Sequence, residues 1–134
     1  MSMSKIRRTI GIRALLRAVL CASLAVAAPG WAWGHAFPER AEPRVGEELV
    51  ISPIRVRIRF DASLEPAFST LQVRNTNGQI VNRGDGHVDA SDPTALEVSL
   101  PSLPPGTYRV FWSVVGRDGH RTQGDYTFTL RQDH

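Results

Sequence analysis

The sequence predicts an all-β fold, a single small β-sandwich domain, and three observations carry that prediction. Residues 54–60, Ile-Arg-Val-Arg-Ile-Arg-Phe, alternate strictly between apolar and basic, the period-two pattern of a half-buried strand. Clusters of Pro, Gly, Asn and Asp punctuate the chain roughly every eight to twelve residues, the spacing of turns in a sandwich. No segment of useful length carries a helical period.

The chain opens with a leader. Residues 1–17 contain Lys5, Arg7, Arg8, Arg13 and Arg17 and no acid, and an apolar or small stretch follows from Ala18 to Ala28. That stretch is well short of the ~20 residues needed to cross a bilayer, so residues 1–34 read as a cleaved secretory signal peptide. The Arg7-Arg8 pair leaves the export route open. Leu20 is too bulky for the position before a lipid-modified cysteine, which argues against an anchor at Cys21. Cleavage after Ala28 would put Pro29 beside the scissile bond, a poor peptidase substrate. Cleavage after Gly34 has small residues, Ala32 and Gly34, at both required positions, and it frees His35 with an α-amino group. The expected organisation is a signal peptide over 1–34 and one domain over 35–134, with no membrane insertion after processing.

Removing the leader reverses the charge. The full chain has 16 basic and 13 acidic residues, whereas residues 35–134 keep 11 and 13, so a formal +3 becomes −2. No basic patch interleaved with aromatics survives, and nucleic acid is excluded as a partner. Residues 35–134 hold neither cysteine nor methionine. A disulfide framework, thiolate zinc or iron–sulfur sites and soft sulfur ligands are excluded together.

Taken in order, Glu39 to Glu48 is charged and interrupted by Pro43 and Gly46, and Leu49-Val50-Ile51 reads as a short strand ended by Pro53. The 54–60 strand should place Ile54, Val56, Ile58 and Phe60 on a core face and three arginines on a solvated one. Asp61 to Ser69 reads as a connection with one helical turn. Thr70 to Arg74 and Gln79 to Val81 flank Asn75-Thr76-Asn77-Gly78, a hairpin signal because Asn-Gly tolerates positive φ. Asn82 to Pro93 reads as a loop. Leu96, Val98 and Leu100 alternate with polar residues. Pro101 to Gly106 then turns the chain into Thr107 to Val115, whose Tyr108, Val110, Trp112 and Val114 share one face. Tyr126, Phe128 and Leu130 form the facing core row of the last strand.

Between those last two strands lies Gly116-Arg117-Asp118-Gly119-His120. Asp118 and His120 are two apart, so near-extended backbone would send both side chains off one face to a common point. Spacing alone would make His120 an exposed turn histidine, and Asp before Gly is ordinary turn chemistry. A terminal His35 changes the balance. Its amine and ring Nδ1 can chelate one ion, His120 can add an imidazole opposite, and Asp118 or water can complete the sphere, the tetragonal nitrogen and oxygen set that suits Cu(II), one per chain. His87 repeats the Asp-Gly-His spelling in a polar loop, and His134 is a tail residue; neither is expected to be a ligand.

The start His35-Ala36 after a leader, the Val56 to Phe60 strand, and the G-x-Y-x-V-x-W run at Gly106 to Trp112 followed by Asp118-Gly119-His120 together resemble the CopC family of periplasmic copper-binding proteins. The resemblance covers nearly all of residues 35–134. It implies an immunoglobulin-like Greek-key β-sandwich of about seven strands, a periplasmic location, and a Cu(II) site that falls here on His35, Asp118 and His120. It also implies a role in copper tolerance or uptake beside, or fused to, a CopD-type inner-membrane protein. Two departures stand out. The methionine-rich Cu(I) loop of some members has no counterpart, and where others end a strand in F-S-E this chain has Phe60-Asp61-Ala62; Asp61 and Glu65 are the acids nearby.

Two further readings fit the same residues. A terminal-histidine copper brace also serves lytic polysaccharide monooxygenases, although an Asp118 ligand would occupy coordination space that oxygen activation needs. A metal-free immunoglobulin-like interaction domain would make the histidines incidental. Retention of copper, and oxidation of a polysaccharide with ascorbate, separate the three.

Overall fold

The computed structural model describes residues 35–133. The leader over 1–34, its two cleavage sites and His134 lie outside the described residues.

Two four-stranded sheets face each other across an apolar core. In chain order the strands are β1 (Pro38–Glu42), β2 (Glu48–Leu49), β3 (Arg55–Phe60), β4 (Thr70–Arg74), β5 (His87–Val88), β6 (Ala95–Ser99), β7 (Gly106–Val115) and β8 (Arg121–Leu130). One sheet runs β1-β3-β6-β5 and the other β2-β8-β7-β4. Eight strands are present rather than about seven, two of them only two residues long. Among the described residues one 3₁₀ turn, Pro66–Phe68, sits where the helical turn is expected. Among the described residues no helix is long and apolar enough to cross a membrane.

The β7–β8 hairpin is the longest pairing, in unbroken register from Gly106↔Leu130 to Val115↔Arg121. Its alternation buries Tyr108, Val110, Val114, Tyr126, Phe128 and Leu130 against Val56, Ile58 and Phe60 of β3 and Leu96 and Val98 of β6. Burying each large apolar side chain contributes about 1.5–3 kcal/mol. Trp112 is half-buried and meets Phe60 edge-on, centroids 5.3 Å apart and planes at 71°. Gly124 opposite it is there for space, since a Cβ would lie 2.5 Å from Trp112 Cζ2.

Several expectations are corrected. Ile54 is 80% exposed rather than in the core, because β3 starts at Arg55 and its partner β6 stops at Ser99, so Ile54 lies past the end of the pair. The strand expected over Leu49-Val50-Ile51 is Glu48–Leu49, which adds in parallel to the last two residues of β8 and ends where β8 ends; Val50 and Ile51 are exposed. The charged stretch from Glu39, which carries no strand pattern, nonetheless pairs with β3 as β1 through its backbone; only Ala41 of its side chains packs toward the core. Gln79 to Val81 gives only the bridge Arg74↔Ile80, although the Asn75–Gly78 turn forms with Gly78 at φ +76°. The loop over Asn82 to Pro93 contains β5, paired with β6. On the arginine face of β3, Arg55 and Arg59 are exposed as expected, and only Arg57 is half-buried. Arg57 donates to Asp89 at 2.9 Å and to Glu97 at 2.6 Å, with Asp92 at 3.6 Å.

Candidate metal centre

The turn that joins β7 to β8 is built from five residues, Gly116 to His120. The Gly116 N–H donates to the His120 carbonyl at 3.1 Å, and the Gly119 N–H donates to the Gly116 carbonyl at 2.9 Å. Gly119 takes φ +84°, a left-handed conformation that costs an L side chain ~1–2 kcal/mol. The turn is braced from the side by the segment leading into the 3₁₀ turn. Leu64 bridges to Gly116, the Glu65 N–H donates to the Val115 carbonyl at 2.8 Å, and the Arg117 N–H donates to the Ser63 carbonyl at 3.2 Å. Buried Ser69 accepts from the Val115 N–H at 3.3 Å and donates to the Glu65 carbonyl at 2.8 Å.

Within this turn Asp118 and His120 converge, by a tight bend rather than the extended backbone expected. Asp118 Oδ1 accepts the His120 N–H at 3.0 Å, while Oδ2 lies 2.8 Å from His120 Nδ1. A carboxylate can only accept, so the hydrogen of that second bond sits on Nδ1 and the lone pair of the neutral ring is left on Nε2. Asp118 thus fixes which nitrogen His120 offers to a ligand.

The third residue comes from the start of the described chain. His35 Nδ1 lies 3.9 Å from Asp118 Oδ2, and the His35 and His120 rings stack with centroids 4.5 Å apart and planes 18° from parallel. Ligand atoms of His35, Asp118 and His120 all lie within 4.8 Å of one another, and this is the one such group of three among the described residues. Two nitrogen donors on opposite sides of a metal, each at ~2.0–2.1 Å, stand about 4 Å apart, so the cluster has the span an ion requires. The Asp118 side chain is only 17% exposed, and the His120 N–H, then its ring, then the charges of His120 and His35 hold its carboxyl below the usual carboxylate range. It is ionised at neutral pH and ready to face a cation.

The other histidine of an Asp-Gly-His run stands apart. His87 lies on β5, its Nδ1 donates to the Asp85 carbonyl at 2.7 Å, and its Nε2 is 3.2 Å from Glu97 Oε1. Asp85 accepts the Ser99 N–H at 2.9 Å, which ties that loop to β6. The same three letters therefore serve to hold a sheet edge. Asp61 and Glu65 are both outside the three-residue group. Asp61 accepts the Phe37 N–H at 2.8 Å and Thr122 donates to the Ala36 carbonyl at 2.5 Å; sequence spacing carries no signal for either contact.

A β-sandwich whose first described residue meets its last hairpin in a two-histidine, one-carboxylate cluster belongs to a class of sandwich proteins with a candidate metal centre at one pole. The CopC domain profile matches residues 39–131, a span that starts after His35 and includes Asp118 and His120. This chain belongs to the CopC family. It is 31% identical to the protein YobA of Escherichia coli K12 over 74% of this chain and 81% of that one. It is 29% identical to copper resistance protein C of Escherichia coli over 80% and 95% of the two chains. Its similarity to the copper transport protein CutJ of Bacillus subtilis, 29% identity, takes in 76% of this chain but 19% of that longer protein. Among solved structures, CopC from Methylosinus trichosporium OB3b superposes with a TM-score of 0.67 at 31% identity, over 75% of this chain and 97% of that one. PcoC from Escherichia coli, described as methionine rich, gives 0.64 at 26% identity over 72% and 99%.

Proposed function

We propose that this protein is a periplasmic Cu(II) carrier or buffer that binds one ion per chain through a terminal-histidine brace. The observation that carries the reading is the convergence of His35, Asp118 and His120 donors within 4.8 Å at one pole of the sandwich. His35 supplies the α-amine and Nδ1, His120 supplies Nε2, and Asp118 orients His120 and stands beside the ion. An all nitrogen and oxygen set without sulfur favours Cu(II) over Cu(I), and its tetragonal demand differs from the tetrahedron of zinc. The copper-related names of the relatives support the choice of metal. The absence of methionine from residues 35–134 sets this chain apart from the methionine rich PcoC and supports a single Cu(II) site without a Cu(I) partner site.

The same reading makes residues 1–34 a leader cut after Gly34 and a CopD-type inner-membrane protein a partner in handling the metal. It is a binding role with no catalytic step, because the Asp118 carboxylate beside the two imidazoles takes space that an oxygen-activating centre leaves open. The test is to load the exported protein with Cu(II), desalt it, and weigh it intact. One copper per chain beginning at His35, released on reduction in the presence of a moderate Cu(I) chelator, is the expected result. Loss of all copper on desalting would overturn the reading, and oxidation of a polysaccharide with ascorbate would replace it with an enzymatic one.

A further inference from the structure

The two residues after His35 are held by contacts that the regular strand pairing does not provide. Ala36 is 0% exposed and its carbonyl accepts the Thr122 hydroxyl from β8. Phe37 forms a two-bond ring with Asp61: its N–H donates to Asp61 Oδ1 at 2.8 Å, and its carbonyl accepts the Asp61 N–H at 2.9 Å. The β1–β3 register starts only at Pro38↔Phe60 and shifts between Pro38 and Arg40. Proline has no N–H to give. The last backbone donor before the His35-Ala36 step is therefore the Phe37 amide, and a side chain receives it.

We propose that Asp61 is a positioning residue for the metal centre, holding Phe37 so that His35 already faces Asp118 and His120 before an ion arrives. The inference rests on the copper-binding reading above and adds a residue to it. Asp61 lies outside the cluster whose donors converge, so its influence runs through the backbone. The His35 ring lies 6.4 Å from that of Phe37 with planes at 19°, so the aromatic face of Phe37 moves with whatever holds its amide. Without the Asp61 contact, the ordering of His35 would fall to the binding event, and affinity would drop.

The experiment compares the wild-type exported protein with Asp61→Ala and Asp61→Asn, with and without Cu(II). The asparagine keeps an acceptor oxygen at the same place, whereas alanine removes it. In the metal-free proteins, the Phe37 amide should exchange with solvent faster in Asp61→Ala and stay protected in Asp61→Asn. With Cu(II), Asp61→Ala should bind more weakly, by less than the ~10–100-fold that follows loss of a ligand's own hydrogen-bond partner. Its electron paramagnetic resonance spectrum should show a second species with fewer nitrogen ligands. Asp61→Asn should restore both. Equal loss in the two variants would make Asp61 a direct ligand and overturn the proposal. So would an unchanged Phe37 exchange rate in Asp61→Ala. Failure of the copper-binding reading shows separately, as a wild-type protein that holds no Cu(II), and the exchange arm then still decides whether Asp61 orders this segment.

Discussion

The imidazole of His35 stacks on that of His120, centroids 4.5 Å apart, although the two residues come from opposite ends of the described chain. What brings them together is the topology. β1 leads away from His35 on one sheet, and the β7–β8 turn carries His120 on the other. The Asp118 carboxylate sits against both rings, at 3.9 Å and 2.8 Å, and neutralises part of the charge an incoming cation would bring.

This arrangement predicts that His120→Ala lowers Cu(II) affinity by more than the ~10–100-fold typical of an outer partner, since a donor itself is lost. Asp118→Ala should fall within that range. His87→Ala should leave affinity unchanged, because its ring nitrogens are engaged by the Asp85 carbonyl and by Glu97 of β6. Competition titration against a chelator measures all three. Equal losses at His87 and His120 would contradict the assignment.

Packing around Trp112 predicts a stability effect. A Cβ at Gly124 would lie 2.5 Å from Trp112 Cζ2 and 2.9 Å from Cε2, and the indole is already wedged against Phe60. Gly124→Ala should destabilise the fold by about 1–3 kcal/mol, the range for overpacking. In a Trp112→Phe background, which lacks that edge of the ring, the penalty should shrink. Denaturant midpoints of the four proteins form the cycle that checks the coupling.

Acid sensitivity follows from the β3 face. The Ser91 N–H, then the Arg57 guanidinium, then the Ser91 hydroxyl hold the Asp89 carboxyl down at about 2. A depressed folded value means that Asp89 contributes stability above its unfolded value of ~3.9, and that this contribution is lost as pH falls through about 2. Asp89→Asn should therefore make the acid limb of the metal-free protein shallower between about pH 4 and pH 2. It should not abolish the limb, since Asp85, Asp92 and Asp118 are also lowered. Superimposable acid titrations of the two proteins would contradict the role given to Asp89.

Much of the fold is legible in the sequence because alternation reports burial. Val56, Ile58, Phe60, Tyr108, Val110 and Phe128 occupy the core as their spacing requires. Strands held by backbone alone are not legible: β1 exposes its charges, and β5 is two residues within a polar loop. Ile54 shows the opposite failure, where the alternating pattern runs one residue beyond the strand that would bury it. At the candidate site, the identities of Asp118 and His120 are readable from the hairpin spelling, but not how they meet. Extended backbone would have brought them together across one face, whereas a bend at Gly119 and the Asp118-to-His120 amide bond do so instead. The contacts of Asp61 and Thr122 with the His35 segment are invisible in sequence, since they join residues far apart through backbone groups that every residue shares.

Whether the α-amine of His35 is itself a ligand is read from the Cu(II) affinity of the protein beginning at His35 against that of one with a single glycine added before it. The added residue turns the amine into an amide and breaks the chelate ring, while a terminus tolerates extension without cost to the fold. The extended protein should keep its thermal stability without metal and lose Cu(II) affinity steeply. Native affinity should decline as pH is lowered through the amine's range of about 7.7–8.0, and the extended protein should lose that contribution to the pH dependence. Equal Cu(II) affinity in the two proteins would mean that the amine is not a ligand and would leave Asp118 and His120 to work with other partners.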